Sequence, residues 1–148
     1  MTTNPVGMFP GYLLRQATNA TLNRLYERLK PLDLRLAEAS VLVLIQSNPG
    51  VTQSQAGQPL KIARANMAPL VRRLEDAGLV SREAVDGRSY GLYVTEKGDD
   101  MARRANAAMQ AHESELMAFL PPHLRGPFAE ALTCLGEFYT EAEESSVG

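Results

Sequence analysis

The sequence predicts a mainly α-helical chain carrying one small β-hairpin, and three observations predict it. Apolar residues recur at helical spacing over most of its 148 residues. Between Val80 and Val94 that spacing gives way to alternation around Asp86-Gly87, a preferred dipeptide of two-residue hairpin turns. Just ahead of the hairpin, Thr52 and Gln55 form a capping-box signal, followed by a cation-bearing helical stretch.

In chain order, Pro5, Gly7, Pro10 and Gly11 make the lead-in irregular. From Tyr12 to Leu29 the residues Leu13, Ala17, Ala20, Leu25 and Leu29 fall near a helical period, and Pro31 stops the helix. A second helix is expected from Leu36 to Gln46, ending at the turn signal Ser47-Asn48-Pro49-Gly50. The third, opened by Thr52, has to be short, because Gly57 weakens it and Pro59 lacks an amide donor. A fourth runs from Ala63 to Ala77, with Met67, Leu70, Val71 and Leu74 on one face and Arg64, Asn66, Arg72 and Arg73 off it. Gly78 suits the left-handed position after that helix, and Leu79 supplies the apolar contact that accompanies such a cap.

After the hairpin, Thr95 caps a long helix from Glu96 to about Leu120, striped by Met101, Ala105, Ala108, Met109, His112, Leu116 and Phe119. Pro121-Pro122 breaks the chain. A final helix from Pro127 to Glu143 gathers Phe128, Ala131, Leu132, Leu135, Phe138 and Tyr139 on one side. The tail Ser145-Ser146-Val147-Gly148 reads as loose.

Composition excludes several functional classes. A single cysteine, Cys134, rules out an intramolecular disulfide or a Cys-rich zinc module and fits a reducing compartment. The longest apolar run, Val41 to Ile45, falls far short of the roughly 18 residues of a membrane span. The N-terminus shows no secretory pattern, so a cytoplasmic protein with no membrane partner is expected. His112 and His123 have no cluster of further ligands, so no metal is expected. There is no nucleophile–base pair or glycine-rich phosphate loop, so neither an enzyme nor a cofactor is called for.

The net charge of −2 points to no polyanion, but its distribution does. Residues 51–74 carry Lys61, Arg64, Arg72 and Arg73 and no acid, whereas from Glu113 onward seven acids face Arg125 alone. Polyphosphate attracts the first stretch and repels the second. A short helix, a tight turn and a second helix is the arrangement that enters a DNA major groove, with the second helix's first residues meeting base edges. Those residues are Arg64, which can pair with guanine, Ala65, whose small side chain permits close approach, and Asn66, which can pair with adenine. Thr52 and Gln53 open the preceding helix and suit the phosphate backbone. The hairpin adds Arg82, Arg88 and Ser89, placed to reach the neighbouring minor groove, with Gly87 making the bend and Asp86 set to hold the Arg88 guanidinium. Together these residues predict a winged helix-turn-helix between Val51 and Gly98.

At this point the residues resemble a family. Gly78-Leu79-Val80-Ser81-Arg82, Asp86-Gly87-Arg88 and Val94-Thr95-Glu96-Lys97-Gly98, in that order, are similar to the wing signature of the multiple-antibiotic-resistance regulator (MarR) family. Asn48-Pro49-Gly50-Val51-Thr52-Gln53 and Asn66-Met67-Ala68-Pro69-Leu70 extend the likeness, and with the flanking helices it covers nearly the whole chain. Ala56-Gly57 departs from the family's usual Leu-Ala in the third helix.

The resemblance implies a homodimeric repressor in which a winged head, residues 35–98, reads double-stranded DNA at a pseudo-palindromic operator. N- and C-terminal helical regions, 1–34 and 99–148, would dimerise. It also implies release by a small aromatic carboxylate or its acyl-coenzyme A thioester, in a pocket between the dimer helices and the head. Phe9, Tyr12, Arg15, Gln16 and His112 are the candidate lining, with Arg15 for a carboxylate and Tyr12 for a ring. Two alternatives compete. One is redox sensing through Cys134, against which the neighbours Leu132 and Leu135 favour a packed thiol. The other is a winged-helix protein-interaction module, which would present an apolar face where this chain has arginines.

Overall fold

The computed structural model describes residues 1–146, with side chains through residue 138. Val147 and Gly148, and the side chains of Tyr139, Glu141, Glu143 and Glu144, lie outside the described residues. The elements are α1 (Pro10–Leu29), a 3₁₀ turn (Lys30–Leu32), α2 (Leu36–Ser47), β1 (Val51–Thr52), α3 (Gln53–Gly57), α4 (Arg64–Asp76), β2 (Val80–Asp86), β3 (Ser89–Val94), α5 (Glu96–Phe119) and α6 (Pro122–Ser146). Two compact units result, Met1–His112 and Glu113–Gly148.

In the first unit, one continuous core joins Leu25 and Leu29 of α1 to Val41, Leu42 and Ile45 of α2 and to Met67, Val71 and Leu74 of α4. Leu92 of β3 and Ala102 and Ala105 of α5 complete it. The N-terminal half of α1 contributes nothing to this core: Leu13 and Leu14 stay exposed. The helix also starts earlier than its apolar stripe. Pro10 occupies N1, where its fixed φ suits the first turn and its missing amide has no bond to lose.

Helix ends follow local chemistry. Thr52 caps α3 by accepting the Gln55 amide at 3.3 Å, while Gln55 Oε1 accepts the Thr52 amide at 3.0 Å. Helix α3 is five residues long. Gly57 is buried against α4, and a Cβ there would stand 2.9 Å from Met67 Cγ, so the departure from Leu-Ala is what lets the two helices close up. Helix α4 ends in a Schellman motif: Leu79 donates to the Leu74 carbonyl, Gly78 to that of Glu75, and Gly78 has φ +71°.

Three details of the β-region and the last helix differ from expectation. A two-residue strand, β1, pairs Val51 with Leu92 and turns the hairpin into a three-stranded antiparallel sheet, β1-β3-β2; so short a strand leaves no period in sequence. The hairpin turns at Gly87-Arg88, because Asp86 already pairs with Ser89 across the ladder, and the register slips at Val85. Helix α6 begins at Pro122, passes through Pro127 and includes Ser145 and Ser146, so the proline pair starts a helix and the tail's first residues belong to it.

In the second unit, the Arg125 Nε donates to the carbonyls of Met117 and Leu120, tying α6's start to the end of α5. Leu132, Leu135 and Phe138 are exposed, and so is Cys134, which corrects the expectation of a packed thiol. Among the described side chains of its helix only Arg125 and Phe128 are half-buried and the rest are exposed, so a thiol among apolar neighbours still faces outward. No described helix is long and apolar enough to cross a membrane.

Candidate nucleic-acid interface

Met67, Val71 and Leu74 turn one face of α4 into the core. Helical spacing then places Ala65, Pro69, Arg72 and Asp76 on the opposite ridge, and all four are exposed. Arg64 and Asn66 flank that ridge at its start, also exposed. Pro69 offers no amide to the Ala65 carbonyl, which leaves this outer face lean in both side chain and hydrogen bonds. A helix with small residues between Arg64, Asn66 and Arg72 can lie close to base edges while its cations reach phosphate. Sequence reasoning missed Pro69 as part of the ridge; its spacing from Ala65 and Arg72 was the available signal.

The structure brings Thr52 and Gln53 together at the start of α3, both half-buried. Lys61 sits exposed in the turn between α3 and α4, with φ +52°. The remaining basic residues divide by their partners. Arg73 Nε lies 3.0 Å from Glu38 Oε1, a carboxylate only 2% exposed at the start of α2. Arg82 makes a two-pronged pair with Glu75, Nε to Oε1 at 2.6 Å and Nη2 to Oε2 at 2.9 Å. Both arginines are thus tethered to acids of the same head. Arg72 and Arg88 are exposed and, among the described residues, have no ion-pair partner.

At the tip of the hairpin, Asp86 corrects its expected role. Its Oδ1 accepts from the Arg88 amide at 3.0 Å, the Ser89 amide at 2.8 Å and the Ser89 hydroxyl at 2.7 Å. These bonds, the Ser89 hydroxyl foremost, hold the Asp86 carboxyl below the usual carboxylate range. The carboxylate therefore shapes the turn rather than gripping the Arg88 guanidinium.

A second hydrogen-bonded cluster fixes the head's base. Thr95 Oγ1 donates to the Gly78 carbonyl at 2.6 Å and accepts the Gly98 amide, and Lys97 Nζ donates to the Ala77 carbonyl at 3.0 Å. The wing, the end of α4 and the start of α5 meet there, so the wing's angle to α4 is set by short bonds.

A family model described as the MarR family matches residues 32–89. The HTH-type transcriptional repressor Rv2887 of Mycobacterium tuberculosis (strain ATCC 25618 / H37Rv) is 30% identical over 128 residues, 85% of this chain and 92% of that protein. The chain belongs to the MarR family. Its fold agrees: the transcriptional repressor CouR bound to a 23-mer DNA duplex is 28% identical and superposes with a TM-score of 0.80 over 92% of this chain and 98% of that one. CouR from Rhodococcus jostii RHA1 bound to p-coumaroyl-CoA is 25% identical, with a TM-score of 0.75 over 90% and 95%. As a MarR-family protein the chain is a DNA-binding transcriptional regulator and not an enzyme.

The candidate effector residues are only partly gathered. On the first turns of α1, the Tyr12 hydroxyl accepts from Gln16 at 2.8 Å and from Asn4 at 3.2 Å. The Arg15 guanidinium stands 5.4 Å from the Tyr12 ring centroid, within cation–π range. Phe9, the N-cap of this helix, is exposed. His112 is buried on α5. Among the described residues no cluster of His, Cys, Asp and Glu is arranged to hold a metal.

Proposed function

We propose that this MarR-family chain works as a homodimer on a pseudo-palindromic operator and lets go when a small aromatic carboxylate, or its acyl-coenzyme A thioester, binds. Residues 35–98 read the DNA; 1–34 and 99–148 dimerise. The observation that carries the DNA-reading half is the outer face of α4, where Ala65 and Arg72 stand exposed opposite the core and Arg64 and Asn66, also exposed, flank them. Arg64, Ala65 and Asn66 meet base edges, Thr52, Gln53, Lys61 and Arg72 meet phosphate, and Arg88 enters the minor groove from a tip that Asp86, Gly87 and Ser89 shape. Arg73 and Arg82 act mainly by holding α4 and the wing in place, given their carboxylate partners.

Support for the dimer comes from apolar faces that the chain leaves uncovered. Leu13 and Leu14 on α1, and Leu132, Leu135 and Phe138 on α6, are all exposed. Support for the effector class comes from relatives: the M. tuberculosis protein has been crystallised with salicylic acid, and CouR with p-coumaroyl-CoA. Tyr12 and Arg15 at the start of α1 offer a ring face and a cation for such a molecule, beside Phe9 and Gln16, with His112 as a further lining group.

The test is a mobility shift on the gene's own upstream region, repeated with aromatic acids and their coenzyme A thioesters. Retarded DNA that one of these ligands frees is the expected result. Binding that no such ligand alters would overturn the effector reading.

A further inference from the structure

The wing has an inner face whose outer half the head's own packing does not use. Opposed residues of an antiparallel ladder share a face, and every second residue along a strand returns to it. Arg82 opposes Leu92 and Ala84 opposes Tyr90, so these side chains lie on one side of the hairpin. Leu92 belongs to the core and Arg82 holds Glu75 of α4, which makes this the side that faces α4. Nearer the tip the core has ended. Ala84 offers only an exposed methyl, and Tyr90 is 57% exposed. The Tyr90 hydroxyl has no hydrogen-bond partner among the described residues.

A duplex imposes its own order on that face. With α4 in the major groove and Arg88 in the neighbouring minor groove, one sugar–phosphate strand divides the two grooves. That strand has to pass between α4 and the tip of the wing, along the side of the hairpin on which Tyr90 stands. The ladder also pairs Thr52 with Gly91, the neighbour of Tyr90, so the residues that open α3 adjoin it. A phenol suits the position: its ring covers a sugar while its O–H donates to a phosphate oxygen.

We propose that Tyr90 is a further DNA-binding residue, donating its hydroxyl to a phosphate of the strand between the groove read by α4 and the groove entered by Arg88. The contact rests on the DNA-reading half of the function proposed above, and adds the group that registers the wing against α4 on the duplex. Phosphates carry no base identity, so Tyr90 contributes affinity and register rather than sequence preference. A phenol is uncharged at neutral pH, so the contact displaces no counterion of its own. In this it differs from the arginines on either side of the strand.

The experiment compares the parent protein, Tyr90→Phe and Arg88→Ala on the duplex that the parent protects in the gene's own upstream region, by mobility shift over a range of salt. Tyr90→Phe keeps the ring and removes only the donor. It should lower affinity about tenfold, the scale of a hydrogen bond to a charged group, on the protected duplex and on mismatched duplexes alike. Its salt slope should equal that of the parent. A second series replaces one phosphate at a time, at the same place in both half-sites, with a neutral methylphosphonate. At one phosphate between the two grooves, that replacement should abolish the difference between the parent and Tyr90→Phe. Equal affinity of these two proteins on unmodified DNA, or a loss that no methylphosphonate removes, overturns the contact. If Arg88→Ala then still loses affinity, the wing reaches DNA and the reading above stands without Tyr90. If neither variant loses any, the wing's part in that reading falls with the contact.

Discussion

Asp86 accepts the backbone amide of Arg88 at 3.0 Å and forms no ion pair with the Arg88 guanidinium. The same oxygen takes the Ser89 amide and hydroxyl, so one carboxylate folds the wing tip and leaves its arginine available for DNA. Asp86→Ala should therefore leave the melting temperature nearly unchanged, while DNA affinity falls about tenfold, the scale of one good contact. Equal DNA affinity in the variant would show that the turn forms without the carboxylate.

The same cluster gives a pH signature. The three hydrogen bonds favour the charged carboxylate, so the folded pKa of Asp86 lies below its unfolded one. The support it gives the turn is fully present above the ordinary Asp value of about 3.9 and disappears as pH falls through the lower, folded value. The Arg88 and Ser89 amide resonances should titrate together with a midpoint beneath about 3.9. A midpoint at or above that value would contradict the cause assigned here.

Basic residues of the head should separate by readout. If Arg64 reads a guanine, Arg64→Ala costs about 1–3 kcal/mol on the cognate site and relaxes one position of the specificity. Arg72→Ala should weaken binding on every sequence alike and reduce the salt slope by about one unit. Arg82→Ala, whose partner Glu75 is itself partly exposed, should cost at most about 1 kcal/mol of stability and leave the salt slope where it was. A loss of slope with Arg82→Ala would place that side chain on phosphate.

What sequence could reveal here follows the range over which each signal acts. The Thr52–Gln55 box and the Gly78 cap involve neighbours within a helical turn or two, and both are readable from residue type and spacing. The Arg73–Glu38 pair spans two helices, and nothing in the periodicity of either marks Glu38 as buried. Asp86-Gly87 announced a turn but not its register, because the bulge at Val85 shifts the pairing by one residue and a bulge has no composition of its own. The apolar stripe of α6 was legible, but its burial was not, since a stripe reports that a face needs covering and not what covers it.

Gly98 has the tightest surroundings of any described glycine. It is buried at the first turn of α5, and a Cβ there would collide with the Leu79 backbone carbonyl. That carbonyl accepts the Thr95 amide at 3.0 Å, so it cannot retreat without opening the junction between α4, the wing and α5. Gly98→Ala should therefore destabilise the protein by about 1–3 kcal/mol or more through overpacking, despite alanine's better helix propensity. Thermal denaturation checks this, and a melting temperature equal to or above that of the parent protein would refute the steric account.

The uncovered apolar faces carry the last prediction. Exposed leucines and a phenylalanine in a row on one helix are unfavourable in water, and burial of each such side chain is worth about 1.5–3 kcal/mol. If a second copy covers α6, Leu132→Asp with Leu135→Asp should convert a dimer, seen by light scattering at micromolar concentration, into a monomer. The winged head of residues 35–98 would keep its own core, because among the described residues no core side chain belongs to α6. The monomer should still retard DNA weakly, but lose the protected pattern of two half-sites about 10 base pairs apart. A parent protein that is already monomeric at that concentration, or a footprint with a single half-site, would refute the dimer and with it the pseudo-palindromic operator.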